Sequence, residues 1–139
     1  MDRSQLSPED AQLLSRFHRG QCPPNAWTHE VFLRLAWAFY RMGGQTFASA
    51  SLRDGLDRLA ASHPSHERLR PHETLTRFWL MMIASADRTD QMPSASSREF
   101  IWRHPELLDQ ELPLQFYSER FLDSEEARLA FRPPEAWRE

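Results

Sequence analysis

Two histidines in this chain stand where polar chemistry is easily organised, at the first turns of apolar helices. In Trp27-Thr28-His29-Glu30, Thr28 supplies a capping hydroxyl and His29 follows it directly. Steps of three, four and seven from His29 reach Phe32, Leu33 and Ala36, so the imidazole shares the inward face of its helix. In His72-Glu73-Thr74-Leu75-Thr76 the same steps from His72 reach Leu75, Thr76 and Trp79. If the two helices are neighbours, both rings line one pocket mouth. A helix N-terminus disfavours the imidazolium and keeps the ring neutral, the form needed by a metal ligand or a general base. The same helix end favours a bound anion. Glu73 could add a carboxylate to the cluster, as ligand or base, or could turn to solvent and pair with Arg77; Glu30 has the same alternative in Arg34. Thr74 and Thr76 can support such a cluster or bond back to the preceding turn. The plainer alternative for either histidine is a core ring satisfied by a backbone carbonyl.

The remaining chemistry-bearing residues are less organised. His18 ends the first expected helix, and His104 sits against Pro105. The stretch SHPSHERLRPHE carries His63 and His66, and a loop folding back would bring His66 to His72. The single cysteine, Cys22, has no internal disulfide partner and reads as a small buried hydrophobe. Tyr117-Ser118-Glu119-Arg120 either covers the site or packs on the core. No HExxH, GxSxG or glycine-rich phosphate loop occurs.

The elements that must position His29 and His72 are all helical. Ser7-Pro8-Glu9-Asp10 starts a first helix, and Gly20 with Pro23-Pro24 ends it. Thr28 caps a second helix, strongly apolar through Tyr40, that stops at Gly43-Gly44. A third is expected from about Thr46 to Ser62, with Arg53 and Asp57 paired on its outer face and Gly55 permitting a close helix contact. A fourth begins near Pro71 and runs to about Asp87, burying Phe78, Trp79, Met82 and Ile83. Ser97 or a near neighbour caps a shorter helix, and pieces over 106–111, 114–121 and 124–131 follow. No segment keeps strand alternation. The expected fold is therefore all-α: one domain over 1–139 with loosely held termini, an orthogonal or bundle-like array of four main helices plus short C-terminal ones.

The pattern WTHEVFLRLAWAF followed by HETLTRFWLMMIA resembles a family of small bacterial proteins marked by paired WTHxxHL and HETxTxFW motifs. The second motif matches at His72, Glu73, Thr74, Thr76, Phe78 and Trp79, and the YSERF segment is also similar. The resemblance runs from about Phe17 to Phe131 and implies a helical domain with His29, His72 and Glu73 as site residues. The first motif departs at its second histidine, where this chain has Phe32. One helix therefore no longer offers two imidazoles. What is left is an open site on His29, His72 and a carboxylate, with zinc or iron as the first metals to consider, or a member that has kept the fold without the metal.

Bulk composition narrows the partners. The chain has 139 residues, 40% of them hydrophobic, with five tryptophans and nine phenylalanines, enough for a real core. Net charge is -3 with the signs interspersed, and the lack of a basic stripe argues against nucleic acid. The longest apolar runs, such as FWLMMIA, are too short for a bilayer, and MDRSQLSPED lacks the apolar core of a signal peptide, so a cytoplasmic location is expected. Three functions fit the residues: a metal-assisted or acid–base enzyme acting on a small molecule, with Glu73 as ligand or base; a non-enzymatic module binding a small ligand or partner helix; or a structural domain whose histidines satisfy core polar groups. The broad apolar surface of the second helix would serve a homodimer as well as a core.

Overall fold

Side-chain caps set the helix starts in this computed structural model, which describes residues 5–62 and 70–134. Ser7, Thr28, Ser96, Ser118 and Ser124 each accept the backbone N–H three residues on, satisfying a donor that has no partner within the helix. The helices they begin are α1 (Pro8–His18), α2 (His29–Ser62), α4 (Ser97–Arg103), α5 (Glu119–Leu122) and α6 (Glu125–Leu129); α3 (Glu73–Thr89) is capped by His72 instead. Short 3-10 turns at Pro24–Ala26, Pro105–Leu108 and Leu112–Gln115 complete the described chain, and no strand occurs among the described residues. The protein is all-helical, as its periodicity predicts.

The expected second and third helices are the two limbs of α2. Its backbone breaks at Gly44, with φ 88° and ψ -177°, a conformation open to glycine and strained for any residue bearing a Cβ. Gly55 lies on the second limb against α1: a Cβ there would sit 2.1 Å from Phe17 Cε2, so the missing side chain is what admits the Phe17 ring. The first limb buries Leu33 through Ala38 without interruption, and α3 packs along it with Phe78, Leu80 and Ile83 fully buried. Val31, Phe32, Phe39, Tyr40 and Met42 of the same limb are partly buried against this core. The Trp37 ring stacks on Phe100 of α4 at 5.8 Å.

Several boundaries differ from the sequence reading. The fourth expected helix begins at Glu73, with His72 extended at φ -130° and ψ 102°, because Pro71 and the histidine cap both fit outside the helix. The cap of α4, expected at Ser97 or a near neighbour, is Ser96, and Ser97 is already in the first turn. The piece expected over 114–121 divides, because Ser118 caps a new turn. Arg53 pairs with Glu73 at 3.4 Å rather than with Asp57. His63 and His66 lie outside the described residues.

A buried polar knot joins α1, α2 and α4. Ser97 Oγ donates to Asp10 Oδ1 at 2.5 Å, and its backbone N–H donates to Asp10 Oδ2 at 2.8 Å. Arg34 Nε donates to Ser97 Oγ at 2.9 Å, while Arg34 Nη2 reaches Glu9 at 3.0 Å and Asp10 at 3.6 Å. Asp10 is 2%, Arg34 7% and Ser97 0% exposed, so these groups are worth far more to each other than surface partners would be. Arg34 therefore turns inward, away from the Glu30 pairing that helix spacing alone suggests.

Candidate functional site

The starts of α2 and α3 frame a cavity of about 440 Å³, within the roughly 300–1,000 Å³ range of small-molecule sites. Trp27, Phe32, Leu56, Leu75 and Trp79 form its apolar walls. His29, His72, Thr28, Thr76 and Gln110 present polar groups, and Arg70 and Arg128 add two guanidinium groups. The structure thus brings His29 and His72 to one cavity. Phe32 is part of its wall.

Each imidazole is fixed by a distant carbonyl. His29 Nε2–H donates to Leu107 O at 2.9 Å, and the ring rests against Trp79 with centroids 4.6 Å apart. That bond makes Nδ1 the unprotonated nitrogen, and Nδ1 makes no hydrogen bond among the described residues. His72 Nε2–H donates to Leu122 O at 2.7 Å, and its Nδ1 accepts the Leu75 N–H at 3.1 Å. Only the neutral ring can do both. Burial pushes both histidines below their ordinary value of 6.5. For His29 the Leu107 carbonyl and the Asp109 charge oppose that shift in part; for His72 the Leu122 carbonyl and Asp123 oppose it while Arg128 reinforces it.

Glu73 is not brought to this cavity. It lies in a neighbouring hollow of about 260 Å³ with Arg53, Asp57 and Glu125, and its partner is Arg53 rather than Arg77. Arg77 instead lies over the Phe131 ring at 5.6 Å. Adjacent helix positions diverge by about a quarter turn, so with His72 turned inward as the cap Glu73 faces sideways. The two threonines also part company: Thr76 lines the cavity, whereas Thr74 Oγ1 donates to Ala130 O at 3.0 Å and accepts the Arg132 N–H at 3.1 Å. Tyr117 packs edge-on against Phe78 and sends its hydroxyl to Arg132 O at 2.5 Å, a core role. His104 binds both oxygens of Asp90, at 2.9 and 3.1 Å, pinning the loop before α4. Among the described residues no group of three or more histidine, cysteine, aspartate or glutamate side chains is placed to hold a metal ion. A metal on His72 would have to displace either the Leu75 N–H or the Leu122 carbonyl.

Gln110 and Arg128 stand far from both histidines in sequence, whereas Arg70 comes two residues before His72. Arg128 reaches the cavity from α6, where its Nη1 donates to the Arg70 and Pro71 carbonyls at 3.2 and 3.3 Å. Only the long-range packing of α6 on α3 places it there. Among the described residues no helix is long and apolar enough to cross a membrane. No family model, curated protein or solved structure matches the chain.

Proposed function

We propose that the domain binds a small molecule in the cavity between the starts of α2 and α3. The observation that carries this reading is the cavity lining, aromatic walls around a few convergent polar groups contributed by five separate parts of the chain. A domain whose histidines served only the core would have no need to leave that volume between them. Amide NMR shifts during titration with a fragment set of mixed charge provide the test. Binders should perturb residues 27–32, 70–79, 110 and 128; a set whose every binder perturbs other surfaces sinks the reading.

A second reading, acid–base catalysis on the bound molecule, is favoured by His29. The Leu107 carbonyl fixes its tautomer, burial keeps it neutral near pH 7, and Nδ1 has a lone pair with no protein partner among the described residues. Glu73 lies in the neighbouring hollow, which makes His29 the better base. Once a turned-over ligand is in hand, His29→Gln should abolish turnover and keep binding; turnover at the parent rate would remove His29 from the chemistry. A zinc or iron centre on His29, His72 and Glu73 has less support, because both His72 nitrogens are engaged and Glu73 points elsewhere. Metal analysis after incubation with zinc and with ferrous iron decides it: near-stoichiometric uptake would revive the centre, and less than roughly 0.1 per chain would end it.

A further inference from the structure

Resting on the cavity being a small-molecule site, we infer that its ligand is an organic anion, a ring-sized apolar body bearing a carboxylate or phosphate that Arg70 and Arg128 receive. Among the described residues the lining contains two guanidinium groups and not one carboxylate. Neither arginine has a carboxylate within salt-bridge distance among the described residues, unlike Arg34, Arg41, Arg53, Arg98, Arg103 and Arg132. The nearby acids, Asp57, Glu73, Glu125, Glu119 and Asp123, line two adjoining hollows, of which Arg128 borders both and Arg70 one. Arg128 is half-buried, and its Nη1 is held by the Arg70 and Pro71 carbonyls, so one edge of the guanidinium is anchored and the rest of its donors have no acceptor among the described residues. A planar fork of that kind matches an oxyanion in geometry as well as charge.

The other polar groups agree with this sign. Both histidines are neutral, His72 is tied up by the fold, and Gln110 offers an amide donor at the mouth. A cationic ligand would face two guanidinium groups and, among the described lining residues, no carboxylate. A wholly neutral one would leave the remaining donors of the half-buried Arg128 without a charged acceptor. The walls of Trp27, Phe32 and Trp79 set the rest of the ligand: a flat, apolar body fills aromatic walls better than a sugar or polyol would.

Phenylacetate, phenylacetamide and phenethylamine share one ring and differ in the charge of the arm, and phenyl phosphate exchanges the carboxylate for a phosphate. Each is titrated into the full chain, followed by amide NMR shifts and by tryptophan fluorescence. At least one of the two acids should bind about tenfold or more tighter than phenylacetamide, with phenethylamine weakest, and the tighter acid names the oxyanion. Arg70→Gln and Arg128→Gln should each weaken the acid several-fold and leave the amide unchanged. Arg70 bonds to nothing through its side chain among the described residues, so R70Q keeps the test readable even if R128Q loosens the backbone at 70–71. Phenylacetamide or phenethylamine binding as tightly as the acids, or an acid preference untouched by R70Q, overturns the anion assignment and leaves the cavity reading standing. No probe perturbing the cavity residues overturns both.

Discussion

At position 72 an imidazole does what a hydroxyl does at the other helix starts, and it carries a second bond besides. His72→Ala removes the cap of α3 and the tether to Leu122 together, and urea unfolding should register a loss of about 1–3 kcal/mol, a cap plus a hydrogen bond. His72→Asn keeps a capping acceptor and should recover about half of that loss; an alanine variant as stable as the parent would remove His72 from the stability of the fold. Acid acts on the same bonds. Both histidines are pushed below 6.5 in the folded protein, so the unfolded chain binds protons first as pH falls. Their contribution is therefore complete above about pH 6.5 and is lost progressively below it, as first the unfolded and then the folded rings protonate. Melting temperatures at pH 7.5 and pH 5 should show this fall, and it should shrink when both histidines are replaced by asparagine. The inward facing of His29 was legible because helical period fixes it, whereas His72 turns inward as the extended cap of α3. The carbonyls that hold both rings were not legible, lying 78 and 50 residues away. Glu73 sits between these cases: periodicity left its direction open, and the engagement of His72 as cap settled it.

At the scale of elements, two glycines decide how α2 is used. Gly44→Ala should destabilise the protein by roughly 1–3 kcal/mol, since the break there lies in a backbone region that suits glycine almost alone. No neighbour would obstruct the new methyl, so the loss would be one of conformation, with little change in packing. Gly55→Ala should show the reverse, with relaxed backbone and a methyl driven into the Phe17 ring, costing at least about 1–3 kcal/mol. Adding Phe17→Leu should recover much of the second loss and none of the first, and equal responses in both would contradict this division. Both glycines could be read from sequence, one as a stop and one as a close approach, because each interrupts a periodic apolar run. The ends of the short C-terminal helices were less legible. Over 105–129 the apolar periodicity is too brief to outweigh individual caps such as Ser118 and Ser124, and those boundaries follow local hydrogen bonds.

Across the whole molecule, the knot of Asp10, Arg34 and Ser97 ties the first, second and fourth helices together. Asp10→Ala leaves a buried guanidinium with poorer compensation and should cost about 3–5 kcal/mol, whereas Asp10→Ala with Arg34→Met should cost clearly less than the two single losses added. Chemical denaturation of the double-mutant cycle checks this, and strict additivity would mean the two side chains act independently. The sequence held one clue to Asp10: steps of four and seven from it reach Leu14 and Phe17, the buried face of α1. Its role as a first-turn acid of α1 hid the clue, since an acid there needs no further explanation. The knot also bears on how the protein is made. Asp10 and Ser97 stand 87 residues apart, so α1 leaves the ribosome long before its partner has been translated. Until α4 emerges, Ser97 cannot bind Asp10 or receive the Arg34 N–H, and the early helices remain a nascent chain without their final lock. Locking of these three helices thus waits in synthesis on the arrival of a single serine.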